Sequence, residues 1–173
     1  MDTALEILKY TLPSLIVFLA VYFVLREMIK SQNEDRRRDI ILENQRLITP
    51  VKLQAYERLI LFLERISLES LIMRINRPGM TTRELHQEML AAIRSEYEHN
   101  LSQQLYISPN AWEVIKNARA NMLKIINTIY EKFKPDAPAL EYSQSLMEAL
   151  VDMEKQPTQA AIDFLKAEVN RIF

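Results

Sequence analysis

The sequence predicts an all-α protein with an N-terminal transmembrane helix, a polar stalk and a cytoplasmic bundle of five or six helices. Three observations lead there. A single glycine among 173 residues leaves almost nothing for hairpin turns, phosphate-cradling loops or dinucleotide fingerprints, all of which need positive φ or close backbone approach. An uncharged run, YTLPSLIVFLAVYFVL, lies between Lys9 and Arg26. Beyond residue 49, apolar side chains recur at i, i+3 and i+4, punctuated by capping residues and prolines. The corresponding boundaries are 1–29 for the anchor, 30–48 for the stalk and 49–173 for the bundle.

Taking the elements in order, Tyr10 to Leu25 covers roughly 24 Å as a helix, against a hydrocarbon core of about 30 Å. Lys9 and Arg26 can snorkel, and Leu5, Ile7, Leu8, Met28 and Ile29 extend the apolar surface. Asp2 and Glu6 ahead of the run, and bulky Tyr22, Phe23, Val24 and Leu25 at its end, argue against a cleaved signal peptide. The competing reading is a buried core helix of a soluble protein. Pro13 implies either a kink or a helix start near Leu12, and the sequence does not choose. Lys9 stands alone before the span, whereas Arg26, Lys30, Arg36, Arg37, Arg38 and Arg46 follow it. The positive-inside rule therefore puts the N-terminus outside and the remainder in the cytoplasm.

The stalk opens with KSQNEDRRRD, a polar stretch with no a/d apolar spacing. Arg36, Arg37 and Arg38 are candidates for contact with anionic lipid, although Glu34, Asp35 and Asp39 offset much of their attraction. Thr49-Pro50 then reads as a helix start, with threonine as cap and proline at the first helical position. Tyr56, Leu59, Ile60, Leu63 and Ile66 form the apolar face of that helix, widened by Leu53 and Phe62. Ser67 caps a short helix, LESLIMRI. It ends before Arg77-Pro78-Gly79-Met80, which has proline and glycine where a type II turn wants them.

Thr81 and Glu84 have the spacing of a capping box. Leu85, Met89, Ile93, Tyr97, Leu101 and Leu105 recur every four residues, which predicts one core stripe on a helix ending near Tyr106. Ser108-Pro109 repeats the cap-and-proline signal before a helix carrying Trp112, Ile115, Ala118, Met122, Ile125, Ile126, Ile129 and Phe133. A helix from about Pro138 carries Leu140, Leu146, Met147, Leu150 and Val151. Pro157 opens the last helix, with Ala161, Leu165, Val169 and Ile172, and terminal Phe173 is expected to dock.

Reactive chemistry is hard to assemble from these residues. There is no cysteine, hence no disulfide framework and no thiolate zinc site. His86 and His99 share a helix but lie about 140° apart around its axis. Glu96 and His99 have the Glu-x-x-His spacing of carboxylate-bridged di-iron bundles, but that site needs two such motifs and the chain has one. No cofactor, no metal and no catalytic residue is therefore assigned; the one enzymatic alternative uses an acidic helix face at Glu96, Glu98 and His99. From Thr49 to Arg94 there are seven basic and five acidic residues, and from Ser95 onward eight basic and eleven acidic. This is no phosphate-binding footprint, so nucleic acid is not an expected partner.

The segment EYEHNLSQQLYISPNAW combines aromatic side chains with amides and a histidine. It supplies the candidate interaction surface: Glu96, Glu98, His99, Gln103, Gln104, Tyr106 and Trp112. The competing reading puts Tyr97, Leu101, Leu105 and Trp112 in the core. Together with the short anchor, TPVKLQAYERLILFLERISLESLIMRI and EYEHNLSQQLYIS resemble an uncharacterised family of small single-pass membrane proteins from Bacteroidota. The resemblance covers most of the chain and implies a bacterial inner membrane as its location. It brings no activity, cofactor or site residue. The expected partners are the lipid bilayer and either another protein or a second copy of the chain; the expected role is an interaction or scaffold module.

Overall fold

The computed structural model describes residues 2–151 and 153–172; the side chains of residues 2–14, 31, 33–35, 37–41 and 172 lie outside the described set. Six α-helices and one 3-10 segment follow in order: α1 Asp2–Arg65, α2 Leu68–Ile75, α3 Thr82–Asn100, the 3-10 turn Leu101–Leu105, α4 Pro109–Tyr130, α5 Ala139–Val151 and α6 Pro157–Ile172. Among the described residues there is no strand, only an isolated bridge between Thr81 and Pro138. The all-α prediction holds. The chain divides into two compact units, Met1–Thr49 and Pro50–Phe173.

In the first unit, α1 is helical from Asp2, so it begins ahead of Pro13 rather than near Leu12. Large apolar side chains from Leu15 to Leu25 are all exposed. No helix among the described residues is long and apolar enough to cross a membrane. The expected span starts at Tyr10, and side chains 10–14 lie outside the described set. What remains, Leu15 to Leu25, covers only about 16 Å of helix axis. Arg36 is exposed, and Arg37 and Arg38 lie outside the described side chains.

The expectation of a helix start at Thr49-Pro50 is corrected: α1 continues through both residues to Arg65. Proline removes one backbone donor, but Pro50 is exposed, and the carbonyl it would have satisfied can turn to water. The boundary between the compact units nevertheless falls at this dipeptide.

The second unit is built around one core. Tyr56, Leu59, Phe62 and Leu63 of α1 and Ile66 in the turn after it pack with Leu68, Leu71 and Ile72 of α2, Leu85, Met89 and Ile93 of α3, and Ile115, Met122 and Ile126 of α4. Tyr142 and Leu146 of α5 and Ala161, Ile162 and Leu165 of α6 complete it. At about 1.5–3 kcal/mol for each large apolar side chain taken from water, this burial is the main stabilising term. Leu53, expected to widen the α1 face, is 40% exposed.

Local signals place the helix ends. Ser67 Oγ accepts from Ser70 N at 3.3 Å, and Ser108 Oγ accepts from Ala111 N at 3.0 Å with Pro109 opening α4. Thr81 forms the full capping box with Glu84. Gly79 has φ of 86°, and Met80 N donates to Arg77 O at 3.2 Å, which closes the turn.

Two apolar stripes depart from expectation. At Leu101 the backbone tightens to three residues per turn, so an every-fourth-residue stripe rotates off the core. Leu101 and Leu105 are 42% and 78% exposed, and Gln103 is buried instead. On α5 the buried set is Ala139, Tyr142, Ser143 and Leu146, while Leu140, Met147 and Val151 are exposed. Ser143 can be buried because its hydroxyl donates to Leu140 O at 2.8 Å and accepts from Asn76 Nδ2 at 3.3 Å. Ala161 and Leu165 of α6 are buried and Val169 is half-buried, as the spacing predicts; Phe173 lies outside the described residues.

Candidate interaction surface

The segment singled out in the sequence starts in the last two turns of α3, crosses the 3-10 turn and enters α4. Glu96 faces inward, with its side chain only 17% exposed. Its Oε1 lies 2.8 Å from Arg65 Nη2 at the end of α1 and 3.8 Å from Arg74 Nη1 on α2. Arg74 also donates to Arg65 O at 3.2 Å. Glu96 thus joins the ends of three helices. Because both arginines remain partly solvated, the pair is worth about 0.2–1 kcal/mol. Asn100 is buried and donates from Nδ2 to Glu96 O at 2.8 Å.

One turn along, Tyr97 stacks on Trp112 with centroids 5.6 Å apart and planes 22° from parallel. The Arg119 guanidinium carbon sits 4.1 Å from the centroid of the same tyrosine. Phe62 of the core lies 6.1 Å away from it. Arg119 Nε is buried with no hydrogen-bond partner among the described residues, while its guanidinium makes the cation–π contact. Tyr97 and Trp112 are partly buried. The stack ties α3 to α4, and Trp112 is a partly buried packing residue.

The seven candidates therefore do not form one surface. Glu96, Gln103 and Trp112 are turned inward or half-covered, whereas Glu98, His99, Gln104 and Tyr106 are exposed. Gln103 Nε2 reaches Ser102 Oγ at 3.5 Å. Leu101 and Leu105, assigned to the core by spacing, join the exposed group. The signal for this was present: LSQQLYISP puts two amides and a serine between the leucines and a proline soon after, which disfavours a regular α-turn.

The other histidine sits elsewhere. The His86 ring stacks on Tyr130 at 3.9 Å and 13°, with Nε2 2.8 Å from Asn127 Oδ1. Tyr142 lies edge-on to His86, Tyr130 and Phe133, and its hydroxyl donates to Ile126 O at 3.1 Å. Burial pushes the Tyr142 phenol well above its ordinary pKa. Burial also raises Tyr56, helped by the nearby Glu168 carboxylate. Neither phenol is poised to give up a proton near neutral pH. Among the described residues no group of three His, Asp or Glu side chains could hold a metal ion.

The model of a family described as a family of unknown function, DUF7935, matches residues 2–172. No curated protein and no solved structure matches the chain.

Proposed function

The chain belongs to the DUF7935 family, and we propose for it the role of a single-pass anchor protein whose helical bundle is an interaction or scaffold module at the cytoplasmic face of a bacterial inner membrane. The observation that carries the reading is the state of α1 between Leu15 and Leu25. Every large apolar residue there is between 45% and 66% exposed, and at 100° per residue these side chains surround the helix. A helix that is apolar all round belongs in lipid or inside a larger assembly. Covering the remaining half of ten such side chains is worth on the order of 8–15 kcal/mol of burial, as much as the typical stability of a domain.

The excess of basic residues after the span supports a cytoplasmic bundle. The exposed set Glu98, His99, Leu101, Gln104, Leu105 and Tyr106 is the surface on which a protein partner is expected. Resistance of the full-length chain to alkaline carbonate extraction, with the bundle digested by protease only when the cytoplasmic face is open, is the expected result. Release by carbonate, or digestion of the bundle from the periplasmic side, would overturn the reading.

A further inference from the structure

Trp, Tyr and Arg are the residues on which protein interfaces concentrate their binding energy, and one of each meets between α3 and α4. Tyr97 stacks on Trp112 at 5.6 Å, and the Arg119 guanidinium carbon lies 4.1 Å from the centre of the same tyrosine ring. All three side chains are half-buried. A guanidinium laid on an aromatic ring is held in orientation before any acceptor arrives. The bundle supplies no acceptor of its own: Arg119 Nε is buried without a hydrogen-bond partner, and among the described residues Arg119 forms no ion pair. A buried donor left open calls for an explanation that packing does not give.

The surroundings are basic. Lys116 stands three residues before Arg119 on α4, and Arg94 three residues before Tyr97 on α3, so each is a neighbour on its helix surface. At about 100° per residue, Arg94 is turned from Tyr97 to the side away from buried Ile93; it is exposed and forms no ion pair among the described residues. The carboxylate of Glu113 is already engaged by Lys116 at 2.6 Å.

We propose that Arg119, held on Tyr97 beside Trp112, is the receptor for a carboxylate side chain in an acidic segment of a partner protein, with Arg94 and Lys116 steering its approach. The planar fork of a guanidinium matches a carboxylate bidentately. A protein is the occupant rather than a lipid surface because these basic side chains, one of them already paired, fall short of the clusters of about four to eight that bind anionic bilayers. Leu101, one turn beyond Tyr97 and exposed, makes the site continuous with the surface assigned above. The proposal rests on the reading of the bundle as an interaction module and not on the membrane anchor.

Trp112 is the only tryptophan in the chain, so its fluorescence reports on the site directly. Titration of the full-length protein in neutral detergent with acetylated hexaglutamate amide is expected to give a saturable change that weakens with salt. Arg119→Lys, which keeps the charge and loses the fork, is expected to raise Kd about ten-fold, and Arg94→Gln several-fold. Arg171→Gln on α6 is the control and is expected to leave Kd unchanged. Thermal melts establish that each variant is folded; if Arg119→Lys is not, Arg94→Gln, which leaves the stack intact, decides alone. No saturable response, a Kd that neither variant moves, or an equal loss in Arg171→Gln would each overturn the proposal. Tighter binding of glycerol phosphate than of hexaglutamate would give the fork to a lipid headgroup and overturn it too. A protein captured through Tyr106 without any hexaglutamate response would remove the carboxylate site and keep the interaction module.

Discussion

Trp112 and Tyr106 stand six residues apart in the same candidate segment, and the structure assigns them opposite consequences on truncation. Trp112→Ala removes the stack on Tyr97, worth about 0.5–1.5 kcal/mol beyond burial. It also removes a large half-buried side chain from the α3–α4 contact. A fully buried tryptophan costs about 3–5 kcal/mol when cut to alanine. Because Trp112 is only partly buried, the total should be roughly 2–3 kcal/mol, or about 8–12 °C in Tm for a bundle of this size. Tyr106 is 41% exposed and follows the 3-10 turn; Tyr106→Ala should stay within about 0.5 kcal/mol, as surface substitutions do. Thermal melts of the full-length variants in one mild detergent, followed at 222 nm, measure both. A Trp112→Ala melt within 2 °C of the parent, or a Tyr106→Ala loss as large as that of Trp112→Ala, would refute the assignment. The same numbers make Tyr106→Ala the usable probe of partner binding, since lost capture by an intact fold cannot be blamed on unfolding.

Three further outcomes follow from local geometry. Tyr142→Phe keeps the ring against His86, Tyr130 and Phe133 and removes the hydrogen bond to Ile126 O, so it should cost about 0.5–1.5 kcal/mol; urea unfolding that shows no loss would mean the hydroxyl is not held there. Gly79→Ala meets no steric contact but must adopt φ of 86°, so the strain alone should cost about 1–2 kcal/mol; a neutral or stabilising result contradicts the turn. Glu84 accepts from Thr81 N at 2.8 Å and Thr81 Oγ1 at 2.9 Å, and these bonds, the backbone one first, hold its carboxyl below the usual range. A depressed folded-state pKa contributes stability above the unfolded pKa, near 4.3 for glutamate as a rough reference, and loses it as pH falls through the folded value. Glu84→Gln should therefore flatten the stability profile in that acid window and leave its shape near pH 7 unchanged; identical profiles for the two proteins would remove the capping box from the argument.

The sequence by itself determined where α2 to α6 begin, though not that α1 runs on through Thr49-Pro50 or that α3 ends at Asn100. Ser67, Thr81 and Ser108 act as caps, Pro109 stands at a first helical position, and Gly79 supplies the one positive φ among the described residues. These are contests between neighbouring groups within three or four residues, settled by backbone sterics and orphan amides wherever the segment lies. The apolar stripe of α4 was legible for the same reason, because its spacing leaves one face to bury.

What only the tertiary structure decided was which of two competing faces wins and which polar groups find partners. On α5 the residues Leu140 and Met147 compete with Ala139, Tyr142 and Ser143; the second set is buried, with Ile126 O accepting from the Tyr142 hydroxyl and Asn76 Nδ2 donating to that of Ser143. At Leu101 the 3-10 turn rotates two leucines into water and a glutamine inward. Of the seven candidate surface residues, Gln103 is turned inward by this turn, and Glu96 and Trp112 are half-covered by contacts from other elements. Glu96 is drawn inward by Arg65 and Arg74, and Trp112 by Tyr97, from elements distant in the chain, while Glu98, His99, Gln104 and Tyr106 have no such claim on them and remain exposed. Helix ends obey local chemistry; which face is covered depends on non-local partners, and no period in the sequence records where those partners will stand.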